Sequence, residues 1–155
     1  MVQTGEDTLH ILVVEDNPDH TELIRRALAE HSSRLSLFSV RDGEAALDYL
    51  WRRGAYGDAA SSPRPHLILL DLRLPKLDGF QVMHEVKKSN DLRRIPLVVL
   101  TTSAADGDMR RAYAEHANSY LVKPVDFQKF VELMGWVEKY WLEQNHQPGL
   151  ARQAQ

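Results

Sequence analysis

The sequence predicts an α/β protein built on a doubly wound, parallel, five-stranded sheet. Three short apolar runs support this prediction: residues 11–14, 67–70 and 97–100. Continuous apolar runs of this length are typical of strands buried on both faces, as in a parallel sheet covered by helices. Helix-forming segments separate these runs along the chain, which is the strand–helix alternation of a doubly wound fold.

The first helix follows the first strand closely. Asn17 offers a side-chain cap, and Pro18 takes the first helical position, where its missing N–H is not needed. We expect this helix to extend to about His31. Its apolar face contains Leu23, Ile24, Ala27 and Leu28.

The second strand, residues 35–40, is more polar than the others, which places it nearer an edge of the sheet. Asp42 and Gly43 then start a second helix. We expect this helix to bury Ala46, Leu47, Leu50 and Trp51. Residues 54–65 are rich in Gly, Ala, Ser and Pro, and they predict a long exposed loop.

Three further strand–helix repeats complete the fold. The strands are predicted at residues 67–70, 96–100 and 119–122, and the helices at residues 79–88, 105–115 and 126–143. Gly107 weakens the first turn of the fourth helix by up to ~1 kcal/mol relative to alanine. Right-handed crossovers between parallel strands then give the flavodoxin-like strand order 2-1-3-4-5.

Composition narrows the class of protein. The 155 residues suffice for about one domain, and we expect an N-terminal extension (1–9), a folded domain (10–143) and a flexible tail (144–155). The lack of cysteine excludes disulfides and thiolate zinc sites. The net charge of −3 disfavours nucleic acid as a partner. Without a signal peptide or an apolar run of ~20 residues, we expect a cytoplasmic protein that does not enter the membrane.

Polar side chains follow the predicted strands at the points where they end. Glu15 and Asp16 follow the first strand, Asp71 the third and Thr101 the fourth, while Lys123 follows the fifth. The carboxyl ends of parallel strands meet at one edge of the sheet, where ligand sites lie. We therefore expect these five side chains to converge.

This set of residues favours metal and phosphoryl chemistry. Carboxylates about 4 Å apart repel by roughly 4 kcal/mol at an effective dielectric near 20, so three together need raised pKa values or a bound cation. Hard oxygen ligands without histidine or cysteine favour Mg²⁺. An aspartate in this setting can act as a nucleophile toward a phosphoryl group, with a lysine and a metal neutralising the oxygens.

In their order and spacing, these residues resemble the receiver domain of two-component response regulators. Glu15–Asp16, Asp71, Thr101 and Lys123–Pro124 carry the resemblance, which extends over residues 11–142. The segment 71–79, with Leu74–Pro75 and Asp78–Gly79, is similar to the phosphoacceptor loop of that family.

The resemblance implies a role for each site residue. Asp71 would be phosphorylated by a sensor histidine kinase, and Lys123 would pair with the phosphoryl group. Asp16 and Asp71 would bind Mg²⁺ directly, with Glu15 acting through water and the Arg73 backbone carbonyl as a further ligand.

Three other features follow from the same resemblance. The Lys123–Pro124 peptide would be cis. Thr101 and Tyr120 match the switch pair, in which the hydroxyl moves toward the phosphoryl group and the ring swings inward. Arg73 and Ser103 would tune the access of the hydrolytic water.

The last helix predicts an interface. One apolar stripe suffices to dock a helix, and the residues proposed for it are Phe127, Phe130, Val131, Met134, Val137 and Trp141. A second stripe, Leu133, Trp136 and Tyr140, adds the aromatic residues that are enriched at interfaces. We expect a homodimer built on the fourth helix, fifth strand and fifth helix. The alternatives are a broad buried face and scattered exposed aromatic residues.

A finer resemblance concerns the partner. The loop 53–65 and the segments 96–103 and 116–120 are similar to stand-alone regulators paired with bacterial phytochromes. The resemblance implies phosphate transfer from a light-regulated histidine kinase of the bacteriophytochrome type, and a dimeric state.

Other functions compete with this one. A haloacid-dehalogenase-like phosphatase needs a second aspartate two residues after the nucleophile, where this chain has Arg73. A flavin or nucleotide carrier needs a Gly-rich loop after the first strand, where Asp16–Asn17–Pro18 stands. A phosphorylation-independent interaction module on the same fold remains an alternative.

Overall fold

A computed structural model describes residues 8–29 and 34–148. The strands are β1 (Leu9–Val14), β2 (Leu35–Val40), β3 (Leu67–Leu70), β4 (Leu97–Thr101) and β5 (Ser119–Val122). The α-helices are α1 (Pro18–Ala29), α2 (Gly43–Leu50), α3 (Gly79–Lys88), α4 (Asp106–Ala114) and α5 (Phe127–Lys139). No helix in the described residues has both the length and the apolar character of a membrane span.

All strand pairs are parallel, and the order is β2-β1-β3-β4-β5. The predicted flavodoxin-like fold is therefore confirmed. One core cluster joins α1 and α5 on one face of the sheet, and the other joins α2, α3 and α4 on the opposite face. Strands β1, β3 and β4 are almost wholly buried, which explains their continuous apolar sequences.

Two residues predicted to be core are exposed. Trp51 lies just after the last residue of α2 and is 38% exposed, whereas Tyr49 is buried and donates a hydrogen bond to the Pro63 carbonyl at 2.9 Å. Phe127 is the first residue of α5 and is 58% exposed, because the buried stripe begins one turn later, at Phe130.

The segments after α1 and α5 depart from the predicted bounds. Helix α1 ends at Ala29, and His31 lies outside the described residues. Helix α5 gives way to a π-helical turn at Tyr140–Gln144, in which Leu142 is buried. Gln147 then donates a 2.9 Å hydrogen bond to the His66 carbonyl. The flexibility predicted for residues 144–155 remains a prediction.

The loop between α2 and β3 is only partly exposed. It contains a short 3-10 helix at Gly54–Tyr56, and both Ser62 and Pro65 are buried. The loop therefore packs against the domain over part of its length.

Candidate phosphoacceptor and metal site

The acidic residues meet at the carboxyl edge of the sheet. Glu15 and Asp16 follow β1, and Asp71 follows β3, whose register is fixed next to β1. A carboxylate oxygen from each of these three residues lies within 4.8 Å of the others. Glu15 and Asp71 are buried, with 3% and 9% exposure, while Asp16 is exposed. The structure thus brings together the acidic cluster expected from the sequence.

Lys123 joins this cluster from the end of β5. Its backbone N–H donates to the Thr101 carbonyl at 2.7 Å, which fixes the residue beside β4. Its ammonium lies 3.2 Å from Asp71 Oδ2 and also donates to Glu15 Oε1. Because Lys123 is only 6% exposed, its charge acts on the two buried carboxylates with little screening by solvent.

Glu15 is the most constrained acid of the cluster. Burial raises its pKa, while its hydrogen bond and ion pair with Lys123 oppose the rise. Its Oε2 accepts a 3.1 Å hydrogen bond from the Asn17 backbone N–H. Asn17 in turn accepts from the Asp19 N–H at 2.9 Å, as a cap of α1 does. Glu15 therefore ties the start of α1 to the site.

Sequence analysis did not single out His20. Its Nδ1 lies 3.0 Å from Lys123 Nζ and 3.5 Å from Glu15 Oε1. The signal that could have found it is spacing, since a residue four positions after Asp16, in the first turn of α1, faces the strand ends. His20 gives the lysine a third partner besides the two carboxylates.

The donor set fits a hard divalent cation. Three carboxylates offer oxygen ligands, and among the residues that the structure describes the Lys123 ammonium alone pairs with them as a lysine or arginine charge. Mg²⁺ binds through one or two carboxylates and keeps several waters, which suits the exposed Asp16 at the rim. The backbone of Arg73 also lies beside the cluster, because its N–H donates to Asp71 Oδ1 at 3.3 Å.

The loop after Asp71 is held by a close backbone contact. A Cβ on Gly79 would lie 2.4 Å from the Asp71 carbonyl oxygen, so α3 can start against this loop only with glycine. Asp78 caps the helix and forms a reciprocal capping box with Gln81. These contacts fix the backbone on which the Asp71 carboxylate stands.

The predicted switch residues converge on Ser103. Thr101 is fully buried, and its Oγ1 accepts a hydrogen bond from the Ser103 N–H at 3.4 Å. The Tyr120 hydroxyl donates to the Ser103 carbonyl at 2.9 Å. Burial is the main cause of the raised pKa of Tyr120. One loop residue therefore contacts both switch side chains.

Some predicted features lie away from this cluster or differ from expectation. The described chain contains no cis peptide bond, so the prediction of a cis Lys123–Pro124 bond is wrong. On α5, Leu133 is half-buried, whereas Trp136 and Tyr140 are 68% and 52% exposed. These three side chains line a groove of about 700 Å³ beside β5.

A buried strand-end aspartate, flanked by two acids and a lysine on a five-stranded parallel sheet, defines a receiver-type site. The family model of the response regulator receiver domain matches residues 11–134. The chain belongs to this family.

Two curated relatives illustrate the similarity. The probable methanogenesis regulatory protein FilR2 of Methanothrix harundinacea is 48% identical over 97% of this chain and 94% of its own length. Response regulator Rcp1 of Synechocystis is 42% identical over 86% of this chain and 88% of its own.

The solved structures agree with the fold. The phosphorylated cyanobacterial phytochrome response regulator RcpA superposes with a TM-score of 0.86 at 39% identity, covering 91% of this chain and 99% of its own. The Mn²⁺-bound form of Rcp1 gives a TM-score of 0.83 at 40% identity, covering 90% and 99%. The resemblance to regulators paired with phytochromes is thereby confirmed.

Proposed function

We propose that this receiver domain accepts a phosphoryl group on Asp71 from a sensor histidine kinase and signals through a phosphorylation-dependent surface. The observation that carries the proposal is the Asp71 carboxylate at the end of β3, 3.2 Å from the Lys123 ammonium and within reach of Glu15 and Asp16. The proposed step forms a bond from an Asp71 oxygen to phosphorus as the bond from phosphorus to the kinase histidine nitrogen breaks.

The protein side chains supply positioning and charge for this step. Both Asp71 oxygens have partners, since Oδ1 accepts from the Arg73 N–H and Oδ2 from Lys123. Lys123 can follow the negative charge onto the phosphoryl oxygens, because its ammonium lies beside the reacting carboxylate. A bound Mg²⁺, held by Asp16, Asp71, the Arg73 carbonyl and, through water, Glu15, would neutralise further charge on those oxygens.

The proposed switch starts at Thr101. Its hydroxyl is the group expected to turn toward the phosphoryl oxygens, at the expense of its 3.4 Å contact with the Ser103 N–H. Movement of Ser103 would shift the position of its carbonyl, which accepts the hydrogen bond from the Tyr120 hydroxyl. The rearrangement would therefore pass from the end of β4 to β5.

The proposed output is a protein contact. The exposed aromatic residues Trp136 and Tyr140, with Leu133, form one side of a groove along α5 and β5. We infer that this face is used in a homodimer. The opposing partner would cover the apolar surface that the monomer leaves open.

A phytochrome-type kinase is the proposed phosphodonor. The support is the similarity to RcpA, which is a phytochrome response regulator. The test is phosphotransfer from a purified bacteriophytochrome kinase in its two light-induced states, compared with transfer from a kinase that senses no light. Equal rates from all three donors would contradict the phytochrome assignment while leaving the phosphoacceptor role intact.

The phosphoacceptor role has a direct test. Asp71→Asn should abolish the formation of acid-labile phosphate from a small phosphodonor with Mg²⁺, because an amide oxygen is a poor nucleophile. Asp78→Asn is the matched control, since asparagine also caps helices well. Labelling of Asp71→Asn at the normal rate would reject the proposal and favour the phosphorylation-independent module.

A further inference from the structure

Arg73 and Asp108 join the phosphoacceptor loop to helix α4. The Arg73 Nη2 lies 3.5 Å from Asp108 Oδ2, with side-chain exposures of 77% and 23%. Arg73 follows Asp71 by two residues, and its backbone N–H donates to the Asp71 carboxylate. The ion pair therefore lies at the mouth of the site.

Asp108 has a second partner that connects it with the switch residues. The same Oδ2 accepts a 2.5 Å hydrogen bond from Ser103 Oγ. Ser103 is also the residue whose carbonyl accepts from Tyr120. The charges of Asp108, Arg73 and Asp71 all act on the Tyr120 hydroxyl. These five residues thus form one electrostatically connected group.

We propose that Asp108 is a positioning residue that competes with phosphorylated Asp71 for the guanidinium of Arg73. This inference rests on the proposed phosphoacceptor function. A phosphoryl group adds a charge of about −1.5 to −2 two residues from Arg73, and a guanidinium matches phosphoryl oxygens with its two-pronged geometry.

Movement of the Arg73 guanidinium from Asp108 to the phosphoryl group would loosen the attachment of α4. In the described structure, Asp108 is held by the ion pair with Arg73 and by the hydrogen bond from Ser103. Once Arg73 turns to the phosphoryl group, the ion pair between α4 and the phosphoacceptor loop is lost. The Ser103 contact then remains as the connection between Asp108 and the switch.

Substitution of Asp108 should change the affinity for a phosphoryl mimic in a defined direction. Asp108→Asn removes the competing charge, while its amide oxygen can still accept from Ser103. Arg73 then becomes free to pair with the phosphoryl group. Because exposed ion pairs shift equilibria by about 1.5- to 5-fold, we expect this variant to bind the phosphoryl mimic beryllofluoride, with Mg²⁺, about two- to fivefold more tightly.

The experiment is a double-mutant cycle on the full chain. Beryllofluoride affinity is measured by amide chemical-shift titration for the wild type, Asp108→Asn, Arg73→Gln and the double variant. Asp106→Asn is the matched control, because Asp106 lies on the same helix and pairs with Arg110 at 2.7 Å instead. Arg73 is exposed, so Arg73→Gln provides a folded test even if Asp108→Asn is unstable.

Each outcome has one meaning. Tighter binding by Asp108→Asn, weaker binding by Arg73→Gln and no effect of Asp108→Asn in the Arg73→Gln background support the competition. An unchanged affinity in either single variant, or the same gain with and without Arg73, overturns it. Failure of the wild type to bind beryllofluoride would instead reject the proposed phosphoacceptor function.

Discussion

The imidazole rings of His10 and His66 stack at the edge of the sheet opposite the acidic cluster. Their centroids are 5.5 Å apart, and their planes differ by 11°. The His66 Nδ1 accepts a 2.9 Å hydrogen bond from the His10 backbone N–H, so this nitrogen must be unprotonated. Gln147 binds the His66 carbonyl from the C-terminal segment.

This stacked pair predicts a loss of stability in acid. Burial lowers the pKa of both histidines below their ordinary value, and the neighbouring His10 lowers that of His66 further. Between the folded and unfolded pKa values, the unfolded chain binds more protons. The free energy of unfolding should therefore fall as pH drops below about 6.5, by at most about 1.4 kcal/mol per pH unit for each histidine.

The measurement is urea denaturation at several pH values from about 5 to about 8. His66→Asn keeps an acceptor for the His10 N–H but does not titrate, so its pH profile should be flatter. His146→Asn is the control, because His146 is exposed. An unchanged slope in His66→Asn would contradict the assignment.

Lys123 is expected to stabilise the fold most when no divalent cation is bound. Removing one partner of a buried ion pair typically costs about 3–5 kcal/mol, and Lys123 faces two buried carboxylates. Lys123→Met should therefore lower the melting temperature strongly in the presence of a chelator. Mg²⁺ should restore part of the loss, because it supplies the missing positive charge.

The comparison that matters is the gain in melting temperature on adding Mg²⁺. We expect a larger gain for Lys123→Met than for the wild type. Lys129→Met serves as the control, because Lys129 is exposed. Equal gains in all three proteins would show that Lys123 and the cation do not compensate the same charges.

How far the sequence predicts this molecule depends on the range of the interactions. The apolar runs before Glu15 and Asp71 identify strands because burial on both faces leaves few other uses for such a sequence. The convergence of their carboxylates then follows from parallel topology alone. Contacts between long side chains, such as the Arg73–Asp108 pair, depend on rotamers that no periodicity encodes.

The burial of residues at helix ends is also poorly predicted by the sequence pattern. The 3.6-residue period places Phe127 on the stripe of Phe130 and Met134, yet Phe127 is exposed because α5 reaches the sheet only one turn later. The predicted burial of Trp51 is wrong for the same reason, because Trp51 lies beyond the end of α2. Amphipathic spacing predicts the face of a helix, whereas its first and last contacts depend on how far the sheet extends beneath it.

The exposure of Phe127 predicts a contact with the kinase. Val125 is fully exposed and Phe127 is 58% exposed, and both lie in the short segment that follows Lys123, between β5 and the first turn of α5. A donor that brings its phosphohistidine to Asp71 must approach this rim. Phe127→Ala should therefore slow transfer from the kinase about fivefold, equivalent to about 1 kcal/mol of lost contact, and leave labelling by a small phosphodonor unchanged.

The ratio of these two rates is the measurement. Phe127→Leu keeps an apolar side chain and should retain most of the transfer from the kinase. If Phe127→Ala slows both phosphodonors equally, the side chain supports the site itself and does not contact the kinase.

The aromatic face of α5 predicts how dimerisation responds to substitution. Trp136 is 68% exposed, with the Lys139 ammonium 5.8 Å from its ring centroid, and Tyr140 is 52% exposed. Neither side chain is needed for the monomer core. Truncation of a central aromatic anchor costs about 2 kcal/mol or more of binding energy. Trp136→Ala should thus weaken the proposed homodimer by roughly 30-fold, at an unchanged melting temperature of the monomer.

Light scattering with and without beryllofluoride tests this expectation. It also distinguishes a dimer formed through the α5 face from a dimer formed through another surface. Trp51→Ala is the control, because Trp51 is an exposed tryptophan on the other face of the sheet. If beryllofluoride shifts the dimer only when Trp136 is present, the switch acts through this face. If the dimer survives both Trp136→Ala and Tyr140→Ala, another surface forms it. The groove beside β5 is then available to a different partner.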